Sequence, residues 1–499
     1  MLVKIYSAIV FSLEPTIVEI EIEHKNGFPG FEIVGLPDAS IKEARERVME
    51  AIKNSGFDIR LKRVVCNLAP ADIKKTGTYL DLPLALGILL SSDFLDLKIR
   101  IEDTLIFGEL GFNGGIKGVK GALPISIESV SKGFKNIIFP KENEDEVSVI
   151  KDAYLYPVSN IKDVINVLEG LVKPKEVEYN FLPEMDYDLD FADVKGQSFA
   201  KRGLEIAAAG FHNVLMIGSP GVGKSMLAKR LITIMPPLTF EESIETTKIY
   251  SIAKGKINYE GGLLRRRPFR SPHHTSSEVS ITGGGSIPTP GEISLAHNGI
   301  LFMDELPEFK RSVFEVLREP LEERKITVSR SMASSVFPAN FLFVAAMNPC
   351  YCGYLWHPTK TCTCSPTQVR QYYKKVSGPI LDRIDIHIKV SEVEYEHINI
   401  KTETSREIRL RVIKAFNIQK ERQGKYNSML TNTEVSNICK IPNESNILIR
   451  KLIDKFGISM RGYYKMLKVA RTIADLEGSD ELNNQHIFEA VQYMNVFKH

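Results

Sequence analysis

The chain has 499 residues, 43% of them hydrophobic and 25% charged, with a formal net charge of +2. At roughly 150 residues per domain, this length suggests about three domains whose cores need no disulfides. The near-neutral balance excludes a global field that draws in nucleic acid, so any basic binding surface must be local. The N-terminal apolar stretch of MLVKIYSAIVFSLEP lacks a small-residue cleavage site. The run LPLALGILL at 82–90 falls far short of the ~20 apolar residues that cross a bilayer. A cytoplasmic protein with no membrane partner is therefore expected. In that reducing compartment clustered cysteines bind metal more often than they pair.

Residues 1–170 mix strands and helices. TIVEIEIE alternates like a half-buried strand. PDASIKEARERVMEAIKNSGF reads as an amphipathic helix, capped by Asp38 or Ser40 and ended by Gly56. DTLIFGELGFNGGIKGV reads as a glycine-rich hairpin, and GFKNIIFPKEN as a buried strand after a helix. From Leu171 to Asp193 two prolines, many acids and no sustained periodicity indicate a linker, set at 171–192. From 193 to 398 strands alternate with helices, the mark of a parallel α/β core. From 399 to 499 the chain reads as helices, expected to form a lid domain. The fold class expected is α/β: an α+β N-terminal domain, a parallel-sheet core and a helical C-terminal lid.

The strand NVLMI runs into GSPGVGKS and then the helix MLAKRLITIM, which is G-x-x-x-x-G-K-[ST] in its strand–loop–helix setting. Gly218, Gly221 and Gly223 let backbone N–H groups converge on phosphate oxygens at a helix N-terminus, and Ser219, Pro220 and Val222 complete the nucleotide-binding loop. Lys224 brings a cation to the β/γ-phosphates, Ser225 offers a hydroxyl to magnesium, and Met226 continues the helix. ATP and Mg²⁺ are the expected cofactors. GILFMDEL at 299–306 is an apolar strand ending in two acids. Asp304 would hold the magnesium and Glu305 would polarise the attacking water. NFLFVAAMNPC ends at Asn348, at the sheet edge where open α/β sheets bind ligands.

PGVGKS, GILFMDE, AAMNP, SGPILDRIDIH (377–387) and ISMRGYYKMLKVAR (458–471) together resemble an AAA+ ATPase of the magnesium-chelatase subunit I class. RPFRSPHHTSSEVSITGGGSIPTPGEISLAHNGILFMDELPEF (267–309) resembles its competence-associated ComM/YifB branch most closely. The resemblance covers almost the whole chain. It implies that Asn348 is sensor 1, that Arg383 is an arginine finger acting on a neighbour's ATP, and that Arg461 is the sensor 2 arginine of the lid. It also implies a ring, expected to be a hexamer, because such a site is complete only between subunits. On the residues alone, Arg383 reads equally well as an ion-pair partner of Asp382 or Asp385, and Arg461 as a surface arginine at a helix start. By the same resemblance the chain is an ATP-driven DNA motor for branch migration in homologous recombination and natural transformation. The alternative is a magnesium-chelatase-like ATPase or chaperone that remodels a protein partner.

RKITVSRSMASSVFPANF (324–341) reads as two strands joined near Arg330–Ala333. A hairpin here enters the pore in ring helicases of this class, so Lys325 and Arg330 are expected to touch DNA phosphates. A basic insert within 263–297 carries Arg265, Arg266, Arg267 and Arg270, which suit nucleic acid or a subunit interface. His273 and His274 have no acid or cysteine nearby in sequence and read as structural or DNA-facing. Residues 1–170 resemble the Lon protease domain, a ribosomal-protein-S5-like fold. Tyr79, beside Thr78, stands where that family has its serine, while Lys117 keeps the partner lysine. Without a nucleophile no peptidase activity is expected.

CYCGYLWHPTKTCTC (350–364) holds four of the six cysteines as two C-x-C pairs. Cys350, Cys352, Cys362 and Cys364 are candidate ligands of a structural Zn²⁺, with His357 as a spare. The loop is expected to brace the segment leading to Arg383.

Overall fold

The computed structural model describes residues 2–25, 28, 30–57, 63–92, 97–177, 181–254, 262–285, 288–329, 334–376, 378–392 and 402–494. The N-terminal part is built on a seven-stranded mixed sheet. Its order is Gly30–Val34, Arg63–Ala69, Thr16–Lys25, Leu2–Ile9, Thr104–Ile106, Asn136–Pro140, Tyr154–Val158. Leu2–Ile9 pairs antiparallel with Thr16–Lys25, and the strands beyond it on its other side run parallel. The helix Ala39–Asn54 starts at Asp38, whose carboxylate accepts from Ile41 N at 3.0 Å. Ser40 instead donates to Asp38, at 2.7 Å.

The run LPLALGILL lies in the helix Asp81–Leu90, every residue of which is buried. Each fully buried leucine there contributes about 1.5–3 kcal/mol. Asp81 is taken inside with them because Arg47 grips both of its oxygens, at 2.9 and 3.1 Å. The stretch read as one hairpin divides its work. Thr104–Ile106 joins the main sheet, while Glu109–Leu110 and Ile116–Lys117 form a separate two-stranded ribbon.

The second part holds a five-stranded parallel sheet, ordered Phe269–Arg270, Ile300–Met303, Leu342–Met347, Val214–Ile217, Ile386–Lys389. Four of these strands are almost wholly buried, as expected for a sheet covered on both faces. The helices Ser405–Gln423, Asn432–Ile438, Asn443–Phe456, Met460–Glu477 and Asn484–Gln492 follow. Their apolar faces share one core with the helix Ser198–Gly210 and one face of this sheet.

The two parts are joined through the helix Phe240–Lys254. Its Ile252, with Leu263, enters the core formed by Ala8, Leu105, Ile137 and Phe139. Ser251 donates to the buried Glu146 at 2.6 Å, and Asn143 donates to the same carboxylate at 2.7 Å. The acidic stretch before the core is also held down. Phe181 lies edge-on to Phe240 with ring centres 5.7 Å apart, and Glu184 N donates to Arg265 O at 3.2 Å.

The two strands expected at 324–341 are Lys325–Ser329 and Ser334–Pro338, paired antiparallel from Lys325↔Pro338 to Ser329↔Ser334. Strand alternation buries Ile326, Val328 and Phe337 and turns Lys325 outward. Arg330 lies outside the described residues.

Candidate functional site

The strand Val214–Ile217 delivers the chain to the C-terminal edge of the parallel sheet. Gly221 and Gly223 there take positive φ of 83° and 96°, and a Cβ at either would meet open space. The loop is thus a cradle of backbone with room above it, as a phosphate requires. Lys224 opens the helix Lys224–Leu231 and is nearly buried. Its ammonium donates to Gly218 O at 2.7 Å, Ser219 O at 2.9 Å and Asn348 Oδ1 at 3.1 Å. Burial lowers its pKa, opposed by Asp304 and Glu305. Ser225 Oγ donates to Asp304 Oδ2 at 2.5 Å. Three neighbouring parallel strands therefore deliver Lys224 with Ser225, Asp304 and Asn348 to one edge, as the hydrogen-bonded pairs Lys224–Asn348 and Ser225–Asp304. A hydroxyl and a carboxylate side by side suit a hydrated Mg²⁺. Pro220 and Met226 are exposed at the rim, Val222 is half-buried and Ser219 is buried.

Glu305 adopts a left-handed backbone, φ 51°, uncommon for a residue with a Cβ and frequent where function holds a side chain in place. Its carboxylate lies 3.1 Å from His274 Nδ1. Tertiary structure thus supplies the acid that His274 lacks in sequence. The strand Phe269–Arg270 runs parallel to Ile300–Met303, so the turns after both strands meet at the same edge. No spacing rule signals a pair thirty-one residues apart.

The expected arginines lie elsewhere. Arg383 precedes the strand Ile386–Lys389, at the N-terminal edge of the sheet. Asn213, at the start of the phosphate-loop strand, donates to Arg383 O at 2.8 Å and to Asp385 through its backbone N at 3.1 Å. Four strand residues at ~3.3 Å each put about 13 Å between that edge and the phosphate loop. Arg461, in the first turn of Met460–Glu477, lines the same cavity as Arg383, of about 640 Å³. No residue of 218–226 lines that cavity. Neither Asp382 nor Asp385 is the ion-pair partner of Arg383; Glu322 is. Glu322 also lies 3.6 Å from Arg461.

The four sulfurs of Cys350, Cys352, Cys362 and Cys364 all lie within 4.8 Å of one another. Cys350 is 3.4 Å from Cys352 and 3.7 Å from Cys362, and Cys352 is 3.5 Å from Cys362. Tetrahedral zinc with ~2.3 Å Zn–S bonds places sulfurs about 3.8 Å apart, so the set fits. His357 is not part of it: its Nε2 faces Glu392 at 2.5 Å and its Nδ1 accepts from Lys360 N at 3.0 Å. The loop also rests on the phosphate loop. Gly353 has φ 82°, and a Cβ there would stand 2.6 Å from Pro220 Cδ. The loop expected to brace the Arg383 segment thus lies close against Pro220 of the phosphate loop.

The arginines of the basic insert are tied to acids of the same chain. Arg267 is buried, donating to Pro236 O, Asn298 O, Pro237 O and Glu242 at 2.6–3.0 Å. Arg270 grips Glu292 at 2.5 and 2.6 Å, and Arg266 pairs with Glu184. These basic residues are engaged within the chain because each has an acid delivered by packing, which the local sequence hides. Lys325 is exposed beside Glu323, at 3.0 Å. In the N-terminal part Thr78 donates to Glu109 at 2.6 Å and Lys117 lies 3.9 Å from it. Burial pushes the Tyr79 phenol up to about 12.

Family descriptions match three successive parts of the chain: subunit ChlI of Mg-chelatase over 19–143, magnesium chelatase subunit ChlI over 190–398, and the ChlI C-terminal region over 402–494. The competence protein ComM of Haemophilus influenzae is 42% identical over 500 residues, covering 98% of this chain and 96% of its own. The uncharacterised protein YifB of Escherichia coli is 41% identical, covering 95% and 94%. The chloroplastic magnesium-chelatase subunit ChlI-2 of Arabidopsis thaliana is 22% identical, covering 70% and 81%.

Proposed function

This chain belongs to the magnesium-chelatase subunit I family as an AAA+ ATPase of the ComM/YifB type, and from that premise we propose that it is a ring-forming motor acting on DNA. The observation that carries the proposal is the division of charge between two sheet edges. Lys224, Ser225, Asp304 and Asn348 gather at one edge, while Arg383 and Arg461 gather at the other. A chain built this way presents a nucleotide cradle on one side and arginines on another. The site closes when the arginines of one copy meet the cradle of the next, which makes a closed ring the natural assembly. We take the ring to be a hexamer in the cytoplasm.

Within the cradle Lys224 holds the β- and γ-phosphates, Glu305 takes the proton of the attacking water, and Asn348 orients that water. Ser225 and Asp304 would hold Mg²⁺, which supplies neutralisation of phosphate charge. Arg383 and Arg461 reach across to the transferring phosphoryl group. The exposed Lys325, with Arg330 beyond the described residues, gives the hairpin a salt-dependent, sequence-blind grip on DNA phosphates. The named relation to a competence protein supports recombination, through branch migration during natural transformation, as the setting.

ATP hydrolysis is expected to rise when single-stranded or branched DNA is added at low salt. If no DNA form binds or changes the rate, the DNA reading falls. The magnesium-chelatase-like remodeller then takes its place, a reading that the 22% identity to a chloroplastic subunit keeps open.

The four cysteines are proposed to hold a structural Zn²⁺. Such sites contribute about 10–16 kcal/mol to local folding. Near one equivalent of zinc per chain is expected on metal analysis, and less than about half an equivalent overturns the assignment. Because Gly353 lies against Pro220, chelation should also weaken nucleotide binding.

A further inference from the structure

Arg383 and Arg461 come from different parts of the chain, a loop before a strand and the first turn of a lid helix. One carboxylate joins them. Glu322, in the helix Arg318–Glu323, pairs with Arg383 and faces Arg461 at 3.6 Å through the same oxygen. The Arg383 side chain is 11% exposed, its Nε is buried without a hydrogen-bond partner among the described residues, and its Nη1 donates to Pro379 O at 2.5 Å. Glu322 is therefore what neutralises the guanidinium in the single chain. Asp382 and Asp385 line the same cavity, and Asp385 is engaged by Asn213 N at 3.1 Å and by Lys465 at 3.9 Å.

Glu322 is half exposed, so its ion pairs are of the weak, readily exchanged kind. A nucleotide phosphate offers the same two arginines more charge and more acceptor oxygens. It also repels a carboxylate left in place. The helix carrying Glu322 passes through Arg324, with φ 57°, straight into the hairpin strand Lys325–Ser329. The carboxylate thus sits on the helix that runs directly from the arginine cavity into the hairpin.

We propose that Glu322 is a positioning residue that holds Arg383 and Arg461 as a pair in the free subunit and exchanges them for a nucleotide phosphate on the neighbouring copy. This rests on the reading that the arginines act between subunits. The carboxylate competes with assembly, so an isolated subunit keeps its arginines occupied until a loaded neighbour displaces Glu322.

The test is sedimentation of the full-length chain across a range of protein concentrations, with magnesium and a non-hydrolysable ATP analogue. Glu322→Gln preserves shape and removes the charge. Its assembly midpoint is expected to fall about three- to tenfold, as removing a competing internal state demands. An unchanged or raised midpoint overturns the proposal. The same substitution made together with Arg383→Ala and Arg461→Ala should produce no shift. A shift that persists there marks a general charge effect and also overturns it. If the chain carrying both arginine substitutions assembles as the wild type does, the reading between subunits fails, and Glu322 with it. If it assembles less well while Glu322→Gln shifts nothing, the exchange by Glu322 alone is wrong.

Discussion

Replacing Arg383 with alanine is expected to reduce ATP hydrolysis by about 10³-fold or more while leaving ATP binding intact. The guanidinium lies before the strand Ile386–Lys389, at the edge opposite the phosphate loop, with its carbonyl held by Asn213. It contributes nothing to the cradle of its own chain, so nucleotide affinity measured on the single chain should not change. What disappears is a cation delivered to charge that develops in the transition state. The cost to the fold is small, because Arg383 donates to Pro379 O and to an exposed carboxylate. Equal loss of binding and hydrolysis in this variant would place the arginine in its own site and refute the arrangement.

Replacing Lys224 with alanine should abolish both, since the ammonium is bonded to Gly218 O, Ser219 O and Asn348 at 2.7–3.1 Å, in the centre of the cradle. Each charge-assisted bond to phosphate is worth about 1.5–3 kcal/mol, so two lost bonds weaken binding by roughly 10²- to 10⁴-fold. Isothermal titration with ATP measures this directly, and affinity within threefold of wild type would contradict the assignment. Mixing the two inactive variants gives a sharper outcome. A Lys224→Ala chain retains Arg383, and an Arg383→Ala chain retains its cradle. Mixed rings therefore contain some complete sites, and hydrolysis should recover in part. No recovery at any ratio, with mixed assemblies formed, would mean that the finger serves its own chain.

The phosphate loop was legible because its chemistry is local. Glycines, lysine and serine must follow one another for backbone N–H groups to face one ligand, so the spacing itself is the signal. Asp304 and Asn348 were legible for a related reason. Each ends an apolar strand, and parallel strands bring their C-terminal ends to one edge whatever their order in the chain. The cysteine pairs carried a similar signal, and folding brings their sulfurs to within 4.8 Å.

The pairings of charge were not legible. The run Arg265–Arg270 resembles a binding surface in sequence, yet Arg267 and Arg270 are held by Glu242 and Glu292, more than twenty residues away. His274 reads as isolated and lies 3.1 Å from Glu305. Glu322 carries no motif and stands between two arginines from distant segments. Gly353 carries none either, and its missing Cβ lets a cysteine loop lie on Pro220. The phosphate-loop motif and the class of fold can be read from the chain alone, since both rest on short-range spacing and on hydrophobic period. Which charges remain available to a partner emerges from the folded arrangement. A Coulomb pair depends on distance in space, and sequence separation does not encode that distance.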